Sequence, residues 1–216
     1  MDASPDAGTV DAHSDAGGLQ DGGFPTACAL DSDDELEEQL SIRDLVAPGT
    51  DCSHAIDDAT LPSGVLDIEL ATHYFMAVRL DNELAEFAVL ETAIIAHRDG
   101  EMCVPPGGGP QAVSETVPAE AVDVAFLLGI PDSVGVTMIP GPTVVSIAFE
   151  ALTQDGRQIV TPTFGFGLIV CEGCLQMNLG LCDAVSPPFD IPCFVGQDDP
   201  VDCCTDAVGD VQCPPP

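Results

Sequence analysis

Three features of the sequence predict a mainly β protein with unlike extensions at its two ends. The middle of the chain carries β-branched and aromatic runs separated by Gly, Pro, Asp and Asn. One of those runs alternates apolar and polar residues with the period of a half-buried strand. Seven of the ten cysteines fall within the last 46 residues, which is the spacing of a cross-linked tail rather than of a core.

Taken in order, residues 1–27 repeat Asp-Ala at positions 2, 6, 11 and 15 among Gly, Ser and Pro, with no apolar stripe to bury. They are expected to form a disordered, self-repelling spacer. Residues 28–60 read as an acidic helix and loop: Ser32 followed by Glu35 makes a capping box, and the acids after it favour the start of a short helix over 33–40. From Leu61 the texture turns to β. The runs are 72–82, 86–97, 111–117, 134–139, 143–152 and 158–171. In the fifth, Val145, Ile147 and Phe149 should face the core, with Ser146, Ala148 and Glu150 on the other side. Asp155-Gly156 is a turn pair able to take positive φ, so the fifth and sixth runs should form a hairpin. Residues 118–129 read instead as a helix, opened by Pro118 and stopped by Gly129. Short strands without βαβ alternation point to an antiparallel β-sandwich over 61–171, immunoglobulin-like in architecture. The Trp of true immunoglobulin domains is missing, since the chain has none. Residues 172–216 form the cysteine-rich extension.

Charge narrows the function. The 37 acids against 4 arginines, with no Lys, give a formal net charge of -33, which repels nucleic acid and anionic lipid and leaves no material for phosphate clamps. Residues 1–44 carry a net of -11 and the other 172 carry -22, so the acidity belongs to the whole surface as well as to the leader. Adaptation to a salty habitat is one reading of it. No run of roughly 18 apolar residues could cross a bilayer as a helix.

The cysteines decide the compartment. They are Cys28, Cys52, Cys103, Cys171, Cys174, Cys182, Cys193, Cys203, Cys204 and Cys213. Only Cys171 and Cys174 have the Cys-x-x-Cys spacing of a metal site, and no His lies near them in sequence. A redox motif would open a helix after a strand, whereas here an apolar strand runs straight into it. Disulfides are therefore expected, with adjacent Cys203 and Cys204 tying two different segments to one point. That places the chain outside the cytosol.

The segments SGVLDIELATHYFMAVRLDNEL (63–84), GFGLIVCEGCL (165–175) and GQDDPVDCC (196–204) resemble a group of predicted secreted or lipid-anchored proteins of myxobacteria and related bacteria. These share an Asp-Ala-Gly-rich leader, a β-rich middle and a cysteine-rich end. The resemblance implies an outer-surface location and a lipidated Cys at the start of the mature chain, where this sequence has Met1. It implies no activity for any residue.

Catalytic patterns are missing: there is no Gly-x-Ser-x-Gly, phosphate loop or His-Glu-x-x-His. Cys52 and His54 lie too close on a loop to suggest more than a bridged cysteine beside an exposed histidine. His73 reads as a surface or boundary residue, and Arg79 and Arg98 as partners in structural ion pairs. The expected function is a non-catalytic cell-surface structural or interaction module whose partner is a protein or glycan. The alternative is a calcium or carbohydrate binder using Asp198, Asp199 and Asp202, with calcium as the cofactor.

Overall fold

The computed structural model describes residues 27–29, 39–48, 56–99, 102–104, 110–184 and 194–213. Within them the elements run β1 (Leu40–Pro48), β2 (Ile56–Thr60), β3 (Ser63–Asp67), β4 (Tyr74–Asn82), β5 (Ala88–Asp99), β6 (Met102–Val104), β7 (Gln111–Val117), β8 (Ala121–Ile130), α1 (Asp132–Gly135), β9 (Gly141–Thr153), β10 (Gln158–Val160), β11 (Phe164–Cys171), β12 (Gln176–Leu181), β13 (Val201–Thr205) and β14 (Val211–Gln212). A four-stranded sheet has the order β2-β1-β4-β8. A seven-stranded sheet runs β3-β11-β9-β5-β6, with β10 also on β9 and β7 also on β5. A small third sheet is β12-β13-β14.

The two large sheets share one core. Tyr74, Val78 and Leu80 of β4 and Leu127 of β8 belong to the same buried cluster as Leu90 of β5 and Phe149 of β9. Tyr74 and Phe149 are among the largest fully enclosed side chains. The mainly β body expected from the runs is thus present, and the hairpin forms at the expected place: Gln158 to Val160 pair with Leu152 to Glu150. Gly156 takes φ +83° in the turn, where a Cβ would be strained. The spacer, apart from Ala27, and the 33–40 helix, apart from Gln39 and Leu40, lie outside the described residues. Strands β1 and β2 fall in the 28–60 stretch read as helix and loop, and β1 pairs along β4 from Leu40–Asn82 to Val46–Ala77.

Four expectations are corrected. Residues 118–129 form no helix: β8 pairs with β4 from Tyr74–Ile130 to Asn82–Ala121. Its valines and alternating faces suit a strand, and apolar residues on both faces had made the period ambiguous. Residues 134–139 form no strand. Val134 and Gly135 complete a single helical turn, α1, that carries the chain from β8 in one sheet to β9 in the other, and the residues after it leave Val136 and Ile139 exposed. The run 158–171 breaks into two strands. Thr161 accepts Phe149 N through its Oγ1 (2.9 Å) and donates its own N–H to Phe149 O (2.9 Å), and Pro162 has no N–H to continue the ladder. Finally, the sheets are not wholly antiparallel. β3 pairs parallel with β11, placing Asp67 opposite Cys171, and β12 pairs parallel with β13.

β9 is also more enclosed than a half-buried strand. Val144, Ser146 and Ala148, on the face away from the shared core, are fully buried. The segment at Ala27 and Cys28 accounts for part of this cover: Cys28 N donates to Ser146 Oγ (2.7 Å), and a Cβ at Gly165 would touch Ala27.

Candidate functional site

All eight described cysteines are paired: Cys28–Cys103, Cys171–Cys174, Cys182–Cys204 and Cys203–Cys213. Cys52 and Cys193 lie outside the described residues, as does His54. Strand alternation sends neighbouring side chains to opposite faces, so Cys203 and Cys204 on β13 reach different partners. They tie β13 both forward to Cys213 and back to Cys182.

The distinctive chemistry of the molecule lies where this cross-linked C-terminal segment meets the β body. Asp67, at the end of β3, is wholly enclosed, and its carboxylate holds three backbone amides. Oδ1 accepts Gly173 N (2.8 Å) and Glu69 N (3.1 Å), and Oδ2 accepts Leu175 N (2.9 Å). A buried carboxylate is tolerated only when its oxygens are satisfied in this way. Asp67 N in turn donates to Gly196 O (2.8 Å), so one residue gathers both arms of the C-terminal segment. Asp67 also forms, with Cys171 and Cys174, a set whose ligand atoms lie within 4.8 Å of one another. Because the two sulfurs are bonded to each other they offer no thiolate, and the set is a structural junction rather than a metal centre in this state.

A second lock lies alongside. Gln197 binds β4 like an added strand: its Oε1 accepts Phe75 N (2.9 Å) and its Nε2 donates to Phe75 O (2.7 Å). Asp198, at φ +63°, turns its carboxylate inward, where Oδ1 accepts Val65 N (2.8 Å) and the Tyr74 hydroxyl approaches both oxygens (2.9 and 2.8 Å). Gly64 leaves room for that hydroxyl, since a Cβ there would stand 2.0 Å from Tyr74 Oη. Burial pushes the Asp198 carboxyl above the ordinary aspartate range, against the lowering pull of Val65 N–H and Tyr74 O–H. Tyr74 is raised well above the usual tyrosine value, first by burial and then by the charge of Asp198.

The folded chain holds the Asp198 proton to higher pH than the unfolded chain does, so this contribution is complete below the unfolded pKa and is lost as pH rises through the folded one. Asp198→Asn keeps an acceptor for Tyr74, tolerates the positive φ and carries no charge. The variant is expected to gain stability relative to the parent as pH rises from about 4 to about 7. Thermal midpoints of the two proteins over a pH series check this. A constant difference would contradict the stated role of burial.

The acids Asp198, Asp199 and Asp202 are not brought into one cation cage. Among the described residues the only set of three potential ligands within 4.8 Å is Asp67, Cys171 and Cys174. Asp199 is exposed and Asp202 half-buried, while the Asp198 oxygens are already engaged. Calcium or a chelator is therefore expected to leave the thermal midpoint unchanged, and a rise with calcium would restore the cation reading.

His73 sits at the boundary as expected. Its Nδ1 is 3.2 Å from Asp132 Oδ1, and its ring meets Phe75 edge-on at 5.2 Å. Asp132, which also accepts the Thr72 hydroxyl, is held below the ordinary aspartate range by that bond and then by His73. Arg79 forms the expected ion pair, with Nε 3.4 Å from Asp44 Oδ1 across the β1–β4 ladder. Among the described residues Arg98 lays Nη2 3.9 Å from Cys103 Sγ. Beside the Gln197 lock, Phe75, Gln111, Phe126, Leu128 and Phe194 line an open groove of about 240 Å³. The Phe75 and Phe194 rings stand 5.6 Å apart. The sequence held one signal for the junction, an acid set inside the apolar run VLDIEL, which is where a buried carboxylate must find partners.

No protein-family model matches the chain, and no curated protein matches it. A solved structure titled as the X-ray structure of Northeast Structural Genomics Consortium target SoR45 overlaps 65% of this chain and 93% of that one, at 12% identity and a TM-score of 0.37. What fold and site define is a disulfide-containing, mostly β domain. None of its helices among the described residues is long and apolar enough to cross a membrane.

Proposed function

We propose that this chain is a non-catalytic structural or interaction module displayed outside the cytoplasm, at the cell surface or secreted. The observation that carries the reading is the pairing of every described cysteine, since such bridges persist in oxidising compartments and are rare where thiols are kept reduced. The acidic leader would act as a spacer, and a lipid anchor at the native N-terminus, as in the myxobacterial proteins it resembles, would tether it. The immunoglobulin-like arrangement belongs to this proposal too, supported by the two large sheets closing on one core. The partner would be a surface protein or glycan, and the aromatic groove at Phe75, Phe126 and Phe194 offers the kind of rigid, partly exposed contact area such binding uses. Protease treatment of intact producing cells tests the location. Cleavage of the chain without lysis is expected, and a chain protected until lysis and recovered with reduced thiols would overturn the proposal.

A further inference from the structure

The four described bridges are not equivalent. Three of them include an enclosed cysteine: Cys28 is 2% exposed, Cys203 0% and Cys204 5%. In the fourth, Cys174 is exposed and Cys171 half-buried. The three also close the longer loops, with sequence separations of 75, 22 and 10 against 3 for Cys171–Cys174. The entropy a cross-link removes from the unfolded chain grows with the loop it closes, so the shortest bridge adds least to stability. The turn it spans has independent support. Asp67 grips Gly173 N and Leu175 N from within, and Ile68 N donates to Cys171 O (2.9 Å). The backbone from Cys171 to Leu175 is thus positioned by a buried carboxylate whether or not the sulfurs are joined.

From this we infer that Cys171–Cys174 is a redox-active pair that exchanges with external dithiols, while the other three bridges are structural. The proposal goes beyond the surface-module reading and does not depend on it. An external thiolate attacks Sγ of the exposed Cys174. The Cys171–Cys174 bond breaks, and Cys171 leaves with the electron pair and takes a proton from solvent. The second thiolate of the external dithiol then attacks its own sulfur in the mixed disulfide and releases Cys174, which is likewise protonated. Two electrons and two protons pass to the protein, and the external dithiol becomes a disulfide. With the turn still held by Asp67, the two thiols remain close enough to rejoin when an oxidised dithiol arrives.

The test uses the full chain incubated with graded dithiothreitol, trapped with N-ethylmaleimide, digested and mapped by mass spectrometry. Cys171 and Cys174 are expected to be labelled at a reductant concentration about tenfold or more below that needed for the other mapped cysteines, with the far-ultraviolet circular dichroism unchanged at that point. Simultaneous or later labelling, or labelling only as the fold is lost, would overturn the proposal. The double variant Cys171→Ser with Cys174→Ser supplies a second check. It should keep the parent's spectrum and lose the early labelling phase, and a variant that fails to fold would show that the carboxylate alone does not hold the turn.

Discussion

Asp67→Ala is expected to destabilise the protein by about 3 kcal/mol or more, lowering the thermal midpoint by roughly 10 °C. The side chain is fully enclosed and accepts three amides, of which those of buried Leu175 and half-buried Gly173 would be left without a partner, while exposed Glu69 can turn to water. An orphaned buried donor costs the desolvation of that group, and here the loss is twofold before any relaxation. The variant Asp67→Asn sharpens the interpretation. It preserves volume, but its amide nitrogen must face either Leu175 N or Gly173 N, donor against donor, so isosteric replacement should recover little. Half-buried Asp206, whose bonds from Val208 N and Asp210 N lie at the surface, makes the contrast: its replacement by Asn should cost under about 1 kcal/mol. Calorimetry or chemical denaturation of the three variants measures the ordering.

Phe149→Ala is expected to cost about 3 to 5 kcal/mol. Phe149 lies at the centre of β9, is 0% exposed and belongs to the cluster that both large sheets share. Removing the ring deletes its transfer energy and opens a cavity that two hydrogen-bonded sheets cannot readily collapse into. Phe75→Ala gives the opposite case. That ring is 40% exposed on the outer face of β4, where it meets Phe194, so its loss should cost roughly 1 kcal/mol and chiefly alter the groove. Denaturant midpoints with unchanged m-values would show both effects as stability alone. Equal losses for the two phenylalanines would mean that the sheets do not close on a common core.

The fate of individual segments shows what local sequence can and cannot carry. The β9–β10 hairpin was legible because its information is local: alternation along 143–152 and a turn pair at Asp155-Gly156. The different partners of Cys203 and Cys204 were legible from their adjacency, since neighbouring cysteines rarely bond each other, once the cysteines were taken as oxidised. β8 was not, because Val122, Val124, Ala125, Phe126 and Leu127 satisfy both periods and only the ladder to β4 decides between them. The buried outer face of β9 was equally hidden, since part of its cover comes from Ala27 and Cys28, more than a hundred residues earlier. The junction followed the same rule. Asp67 meets its amides 106 and 108 residues away, and the parallel register of β3 on β11 brings them together. Asp198, offered by its sequence as a surface ligand, turns inward because Gly64 admits Tyr74 to it.

Specific sulfur pairs cross-link the β body and the C-terminal segment each within itself, while Asp67, Gln197 and Asp198 join the two, and non-reducing peptide mapping of the alkylated full chain tests the pairing most directly. Cys28–Cys103 and Cys171–Cys174 should be recovered as separate linked species and Cys182, Cys203, Cys204 and Cys213 as one cluster, which stepwise reduction and alkylation resolves into Cys182–Cys204 and Cys203–Cys213, with none of these cysteines labelled before reduction. Recovery of Cys28, Cys103, Cys182, Cys203, Cys204 and Cys213 as free thiols in folded protein, or in other pairings, would contradict it.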